Sequence, residues 1–134
     1  LNMSSTDFKL LHTMMRVMDL DKSINFYTKF FNMNLLRKAD YPGGKFTLAF
    51  LGYGSEENNT VLELTHNWEQ KEDYDKGNAW GHRAIGVKDI YQLCLSLESE
   101  GIEIIRKPGP MKHGKTIIAF IKDPDNYSIE LIQK

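Results

Sequence analysis

The chain holds one cysteine, Cys94, in 134 residues, so no disulfide within the chain can form and a reducing compartment is the expectation. Charge of one sign is also missing: 17 Lys and Arg face 18 Asp and Glu, a net of −1. A near-neutral chain lacks the electrostatic footprint of a protein that binds nucleic acid or an anionic membrane. The longest apolar runs are about five residues, such as Ile117 to Ile121, against the roughly 18 that a bilayer span needs. The segment Leu1 to Asp7 has no apolar core of a signal peptide. Met3 reads as the initiator, with Leu1 and Asn2 added ahead of it. These absences predict a cytoplasmic protein without nucleic-acid or membrane partners. A length of 134 residues fits one domain, residues 1–134, able to hide roughly two thirds of its unfolded surface.

What is present is a repeat. Shifting the chain by 70 residues brings His12 onto His82, Val17 onto Val87, Asp19 onto Asp89, Gly44 onto Gly114, Lys45 onto Lys115, Ala49 onto Ala119 and Phe50 onto Phe120. After a slip of three, Asn59 meets Asn126, Glu63 meets Glu130 and Leu64 meets Leu131. The order of these matches, and the potential metal ligand at both ends of each half, mark two modules, about 9–68 and 80–134.

Each module reads as β-α-β-β-β, an α+β class. Leu10 to Val17 alternates as a strand, with His12, Met14 and Arg16 on one face. Asp19 or Asp21 offers an N-cap to a helix with Ile24, Tyr27, Phe30 and Phe31 at helical spacing, ending near Asn32 to Asn34. Strands follow over Leu35 to Asp40, Lys45 to Tyr53 and Thr60 to His66. The second module repeats this with a strand over Gly81 to Val87 and a helix over Ile90 to Glu100 that Gly101 stops. Its later strands lie near Ile102 to Arg106, Thr116 to Lys122 and Tyr127 to Gln133. Asn126 falls where the last turn needs a positive φ.

His12 and His82 occupy the first strand of each module, Glu63 and Glu130 the last. Pseudo-symmetry lets two such pairs converge on one point. Two imidazoles and two carboxylates suit octahedral Ni, Co, Mn, Fe or Zn with positions left open. Glu63 lies between Leu62 and Leu64, and Glu130 between Ile129 and Leu131, where an unpaired buried carboxylate is costly and coordination removes the cost. Cys94, among helical Leu93, Leu95 and Leu97, reads as a core thiol. Trp68 and Trp80 line either an apolar pocket or the core.

The stretches Leu11-His12-Thr13-Met14-Met15-Arg16-Val17, Phe26-Tyr27, Leu36-Arg37, Leu48 to Gly54, Leu62-Glu63-Leu64-Thr65, Gly81-His82 and Ala119-Phe120 through Asp123-Pro124-Asp125 to Ile129-Glu130-Leu131 together resemble the glyoxalase I (lactoylglutathione lyase) family of the vicinal oxygen chelate superfamily, from about Leu10 to Ile132. The resemblance implies paired βαβββ modules forming a metal-binding bowl, and a homodimer with shared sites, His12 and Glu63 from one subunit and His82 and Glu130 from the other. It implies isomerisation of the hemithioacetal of methylglyoxal and glutathione to S-D-lactoylglutathione, with glutathione as co-substrate and Glu130 as base. Residues matching Arg16 and Asn67 hold the γ-glutamyl end of glutathione in that family, and Lys112 fits a loop over the glycine carboxylate. A surface ion pair for Arg16 and a solvated hairpin around Lys112 are the alternatives. A short chain with His at the first ligand position resembles the class activated by nickel or cobalt more than the longer zinc class.

The sequence departs from the family pattern at His66, Glu69 and Asn78, which bears on the identity of the thiol. Competing readings are a thiol transferase, an acyl-CoA epimerase, an extradiol dioxygenase, which Glu63 as a fourth ligand argues against, or a non-catalytic drug-binding module.

Overall fold

Two aspartates begin both helices in the same way. In the computed structural model, which describes residues 2–134 and so leaves Leu1, expected as part of an addition ahead of Met3, outside the described residues, the Asp19 side chain accepts the backbone N–H of Lys22 and the Asp89 side chain that of Gln92. Each satisfies a helix N–H that has no partner within the helix. Helix α1, Leu20–Phe31, ends where Asn32 turns left-handed at φ 52°. Helix α2, Ile90–Ser99, is followed by Gly101 at φ 86°. Helix α1 buries Leu20, Ser23, Phe26, Tyr27 and Phe31, so Phe26 rather than Phe30 carries the stripe. Helix α2 buries Ile90, Cys94 and Leu97, and burial pushes the Cys94 thiol up from its ordinary range. A short 3-10 turn, Ser5–Asp7, precedes the first strand without a signal in the hydrophobic pattern.

The chain divides into two units, Leu1–Tyr74 and Asp75–Lys134. In the first, strands β1 (His12–Arg16), β2 (Asn34–Tyr41), β3 (Phe46–Gly52) and β4 (Val61–Asn67) form a sheet in the order β1-β4-β3-β2. Strands β1 and β4 run parallel, and the other neighbours are antiparallel. The second unit repeats the order as β5-β8-β7-β6 from β5 (Arg83–Val87), β6 (Ile104–Pro110), β7 (Ile117–Lys122) and β8 (Ser128–Gln133). The repeat extends to strained backbone. Lys45 and His113, at corresponding hairpins, have φ of 55° and 66°.

Two expectations shift and one is met. Strand β5 begins at Arg83, so His82 stands one residue ahead of the strand rather than within it. Strand β6 lies later than Ile102 to Arg106 and runs through Pro108 and Pro110. It is an edge strand with register breaks on both sides of Arg106, where the lost N–H groups are tolerated. Asn126 has the positive φ its place requires, 67°.

The turn before β8 is built on Asp123, which is buried and accepts backbone N–H groups of Asp125 and Tyr127, both at 2.9 Å. Replacing Asp123 with Ala strands these donors, and urea unfolding is expected to show a loss of about 1–3 kcal/mol.

Candidate active site

In the first unit, register decides which side chains meet. Pairing of Met14 with Glu63 and Arg16 with Thr65 across β1 and β4, and of Phe50 with Glu63 across β3 and β4, places His12, Arg16, Phe50, Glu63 and Asn67 on one face of the sheet. The other face, with Met15, Ala49, Leu51, Leu62 and Leu64, is buried. His12 Nε2 lies 2.9 Å from Glu63 Oε1, and Thr65 Oγ1 donates to Glu63 Oε2 at 3.4 Å. The Phe50 ring meets the His12 imidazole edge-on, centroids 5.5 Å apart.

The second unit builds the same group from its own residues. His82 Nε2 lies 3.2 Å from Glu130 Oε1, and Phe120 meets the His82 ring edge-on at 5.4 Å. Phe120 pairs with Glu130 across β7 and β8 as Phe50 pairs with Glu63. The two glutamate side chains are largely buried, at 12% and 17% exposure, while the histidines keep 39% and 43%. A covered carboxylate beside an open imidazole leaves each pair facing solvent on one side.

The spacing tests whether such a pair suits a metal. Two donors each about 2.1 Å from an ion and at right angles around it are about 3.0 Å apart, while a tetrahedral angle would spread them to about 3.4 Å. The observed 2.9 Å fits adjacent octahedral positions, 3.2 Å lies between the two geometries, and both equally fit a hydrogen bond from Nε2–H. Among the described residues no group of three or more His, Cys, Asp or Glu side chains could hold a metal. Each unit therefore presents two donors.

The other expected residues are placed as follows. Arg16 lies on the Glu63 face of the sheet. The Asn67 amide donates to the Tyr74 hydroxyl at 2.9 Å. Lys112 is exposed in the β6–β7 hairpin, which Met111 N–H closes onto the Thr116 carbonyl at 2.8 Å. Trp68 donates to Thr47, whose strand position puts it on the face opposite Glu63, so this indole is no part of the pocket side. His66 pairs with Thr47 and shares that face, where a cavity of about 350 Å³ opens among Met18, Asp19, Asp40, Thr47 and His66. Trp80 packs against Tyr127 within the second unit. Phe50 and Phe120 received no role from the sequence, although their match in the repeat was the available signal.

Known proteins share this chain's fold and much of its sequence. Residues 9–131 match the family model of the Glyoxalase/Bleomycin resistance protein/Dioxygenase superfamily. A probable lactoylglutathione lyase of Synechocystis sp. is 61% identical over 92% of this chain and 94% of its own, and a lactoylglutathione lyase of Neisseria meningitidis is 57% identical over 94% and 91%. Glyoxalase I of Zea mays superposes with a TM-score of 0.88 and 49% identity over 94% of this chain, which spans 44% of the maize chain. The trypanothione-dependent glyoxalase I of Leishmania major superposes with a TM-score of 0.83 and 45% identity over 94% of this chain and 86% of its own. Duplicated βαβββ units with paired His and Glu, matched across nearly the whole length, make this chain a member of the glyoxalase I (lactoylglutathione lyase) family within that superfamily.

Proposed function

We propose that this protein isomerises the hemithioacetal of methylglyoxal and glutathione to S-D-lactoylglutathione, moving a proton between adjacent carbons with no net redox change. The observation that carries this reading is the His–Glu pair repeated in both units, each glutamate largely covered beside an open imidazole. The lactoylglutathione lyases that match most of the chain support it.

Residues 1–134 act as one functional domain and assemble as a homodimer. His12 and Glu63 of one protomer, with His82 and Glu130 of its partner, hold one divalent ion per site, Ni or Co in preference to Zn. A mixed nitrogen and oxygen donor set from two imidazoles and two carboxylates suits such an ion. A divalent ion bound there would supply charge stabilisation as the carbon acid ionises.

Glu130 takes the proton from C1 and returns it to C2. Its carboxylate is largely covered, so the proton passes between substrate and side chain rather than to bulk water. Glu63, held by Thr65 as well as facing His12, remains a ligand. Phe50 and Phe120 fix the two imidazole planes. Arg16 and Asn67, whose amide donates to the Tyr74 hydroxyl, hold the γ-glutamyl end, and Lys112 meets the glycine carboxylate. The cytoplasm is the compartment, in keeping with the free, buried Cys94.

Stripping the metal and restoring single ions, with thioester absorbance as readout, tests the reading. Activity on methylglyoxal and glutathione is expected with Ni or Co and little with Zn. Equal activity with Zn overturns the metal preference, and no thioester with any ion overturns the function. Running trypanothione beside glutathione distinguishes the thiol.

A further inference from the structure

Arg37 has no part in the chemistry above, yet it stands beside it. Its partner across β2 and β3 is Phe50, and the partner of Phe50 across β3 and β4 is Glu63, so the three form one row on the metal-pair face of the first sheet. The guanidinium carbon sits 3.7 Å from the Phe50 ring centroid, and the opposite contact of that ring is His12. Nε donates to Glu56 Oε2 at 2.8 Å. Glu56 is itself on a tethered loop, because Lys9 Nζ donates to its carbonyl oxygen at 2.7 Å. Among the described residues the terminal nitrogens Nη1 and Nη2 have no hydrogen-bond partner, and the side chain is 52% exposed.

This is a guanidinium pinned at one nitrogen and covered on one face, with its terminal fork open. Such a fork matches a carboxylate with two parallel hydrogen bonds, and a side chain already held in place loses little freedom on binding. The second unit shows the contrasting case. Arg106, paired with Phe120 as Arg37 is with Phe50, directs its terminal nitrogens to the carbonyls of Gly109, Ile118 and Pro110. One arginine of the repeat closes a strand irregularity, and the other keeps its fork open on the face that carries the reactive pair.

We infer that Arg37 binds a carboxylate carried by the substrate. The inference rests on the function proposed above, whose substrate carries two carboxylates, both on its thiol half. Steady-state kinetics of Arg37→Gln and Arg37→Lys test it with methylglyoxal hemithioacetals of glutathione, of glutathione esterified at the glycine carboxylate, and of glutathione esterified at the γ-glutamyl carboxylate. With free glutathione, Arg37→Gln is expected to raise KM about tenfold with kcat within about twofold, and Arg37→Lys to recover part of the loss. For one ester the wild type and Arg37→Gln are expected to share the same KM, which identifies the carboxylate held.

A KM that does not change, or one that changes by the same factor for all three thiols, overturns the inference. So does a lowered urea midpoint with unaltered KM, which would make Arg37 only a tether for the Glu56 loop. Wild-type protein inactive on the glutathione substrate would instead overturn the function itself, so the two failures are distinct.

Discussion

Turnover of the Glu130→Gln protein is expected to fall by about 10²- to 10⁴-fold, with the native mass and the circular dichroism spectrum unchanged. Glutamine keeps the shape and one oxygen of the side chain but cannot take a proton from carbon. Among the described residues of its own unit Glu130 has no second carboxylate beside it: Ala84 and Phe120 flank it across the sheet, His82 stands 3.2 Å away, and Glu63 of the proposed shared site is assigned as a ligand. A variant within a few-fold of wild type removes Glu130 from the role of base. Metal content measured on the same sample separates loss of the base from loss of the ion.

The second large effect is a restoration. A protomer with His12 and Glu63 changed to Ala and one with His82 and Glu130 changed to Ala are each expected to be inactive. Unfolded together, refolded and reloaded with metal, they are expected to recover about one quarter of wild-type activity. Random pairing makes half of the dimers mixed, and each mixed dimer has one intact site of two. If all four donors came from the same protomer, the mixture would stay as inactive as its parents. The separate two-donor groups of the two units motivate the experiment, since among the described residues no three candidate ligands stand together.

Much of this arrangement was legible in the order of residues. The 70-residue repeat located both helices, both capping aspartates, and the two His–Glu pairs, because duplicated chemistry leaves duplicated letters. Periodicity placed Arg16 on the face of His12 and Asn67 on that of Glu63, and the strand register joins the two faces into one. What escaped depended on register or on irregular backbone. Trp68 lies beyond the last alternating residue of β4, and only its bond to Thr47 reveals its side. The limits of β6 were hidden because prolines read as breaks, while an edge strand tolerates them. Arg37 entered the sequence reading only within the Leu36-Arg37 match, with no role assigned to it. Its place over Phe50 follows from a register shift between Leu35 and Arg37 that no local pattern announces.

The pairing of one histidine with one glutamate in each half has a further consequence for how such a protein behaves in the cell. A bidentate chelator grips a dication loosely, and in the two-chain site proposed above a quartet of donors would retain it. Ion retention would then be subject to mass action between protomers. Dilution below the association threshold would shed the ion and silence catalysis in one step, and rising abundance would recruit both together.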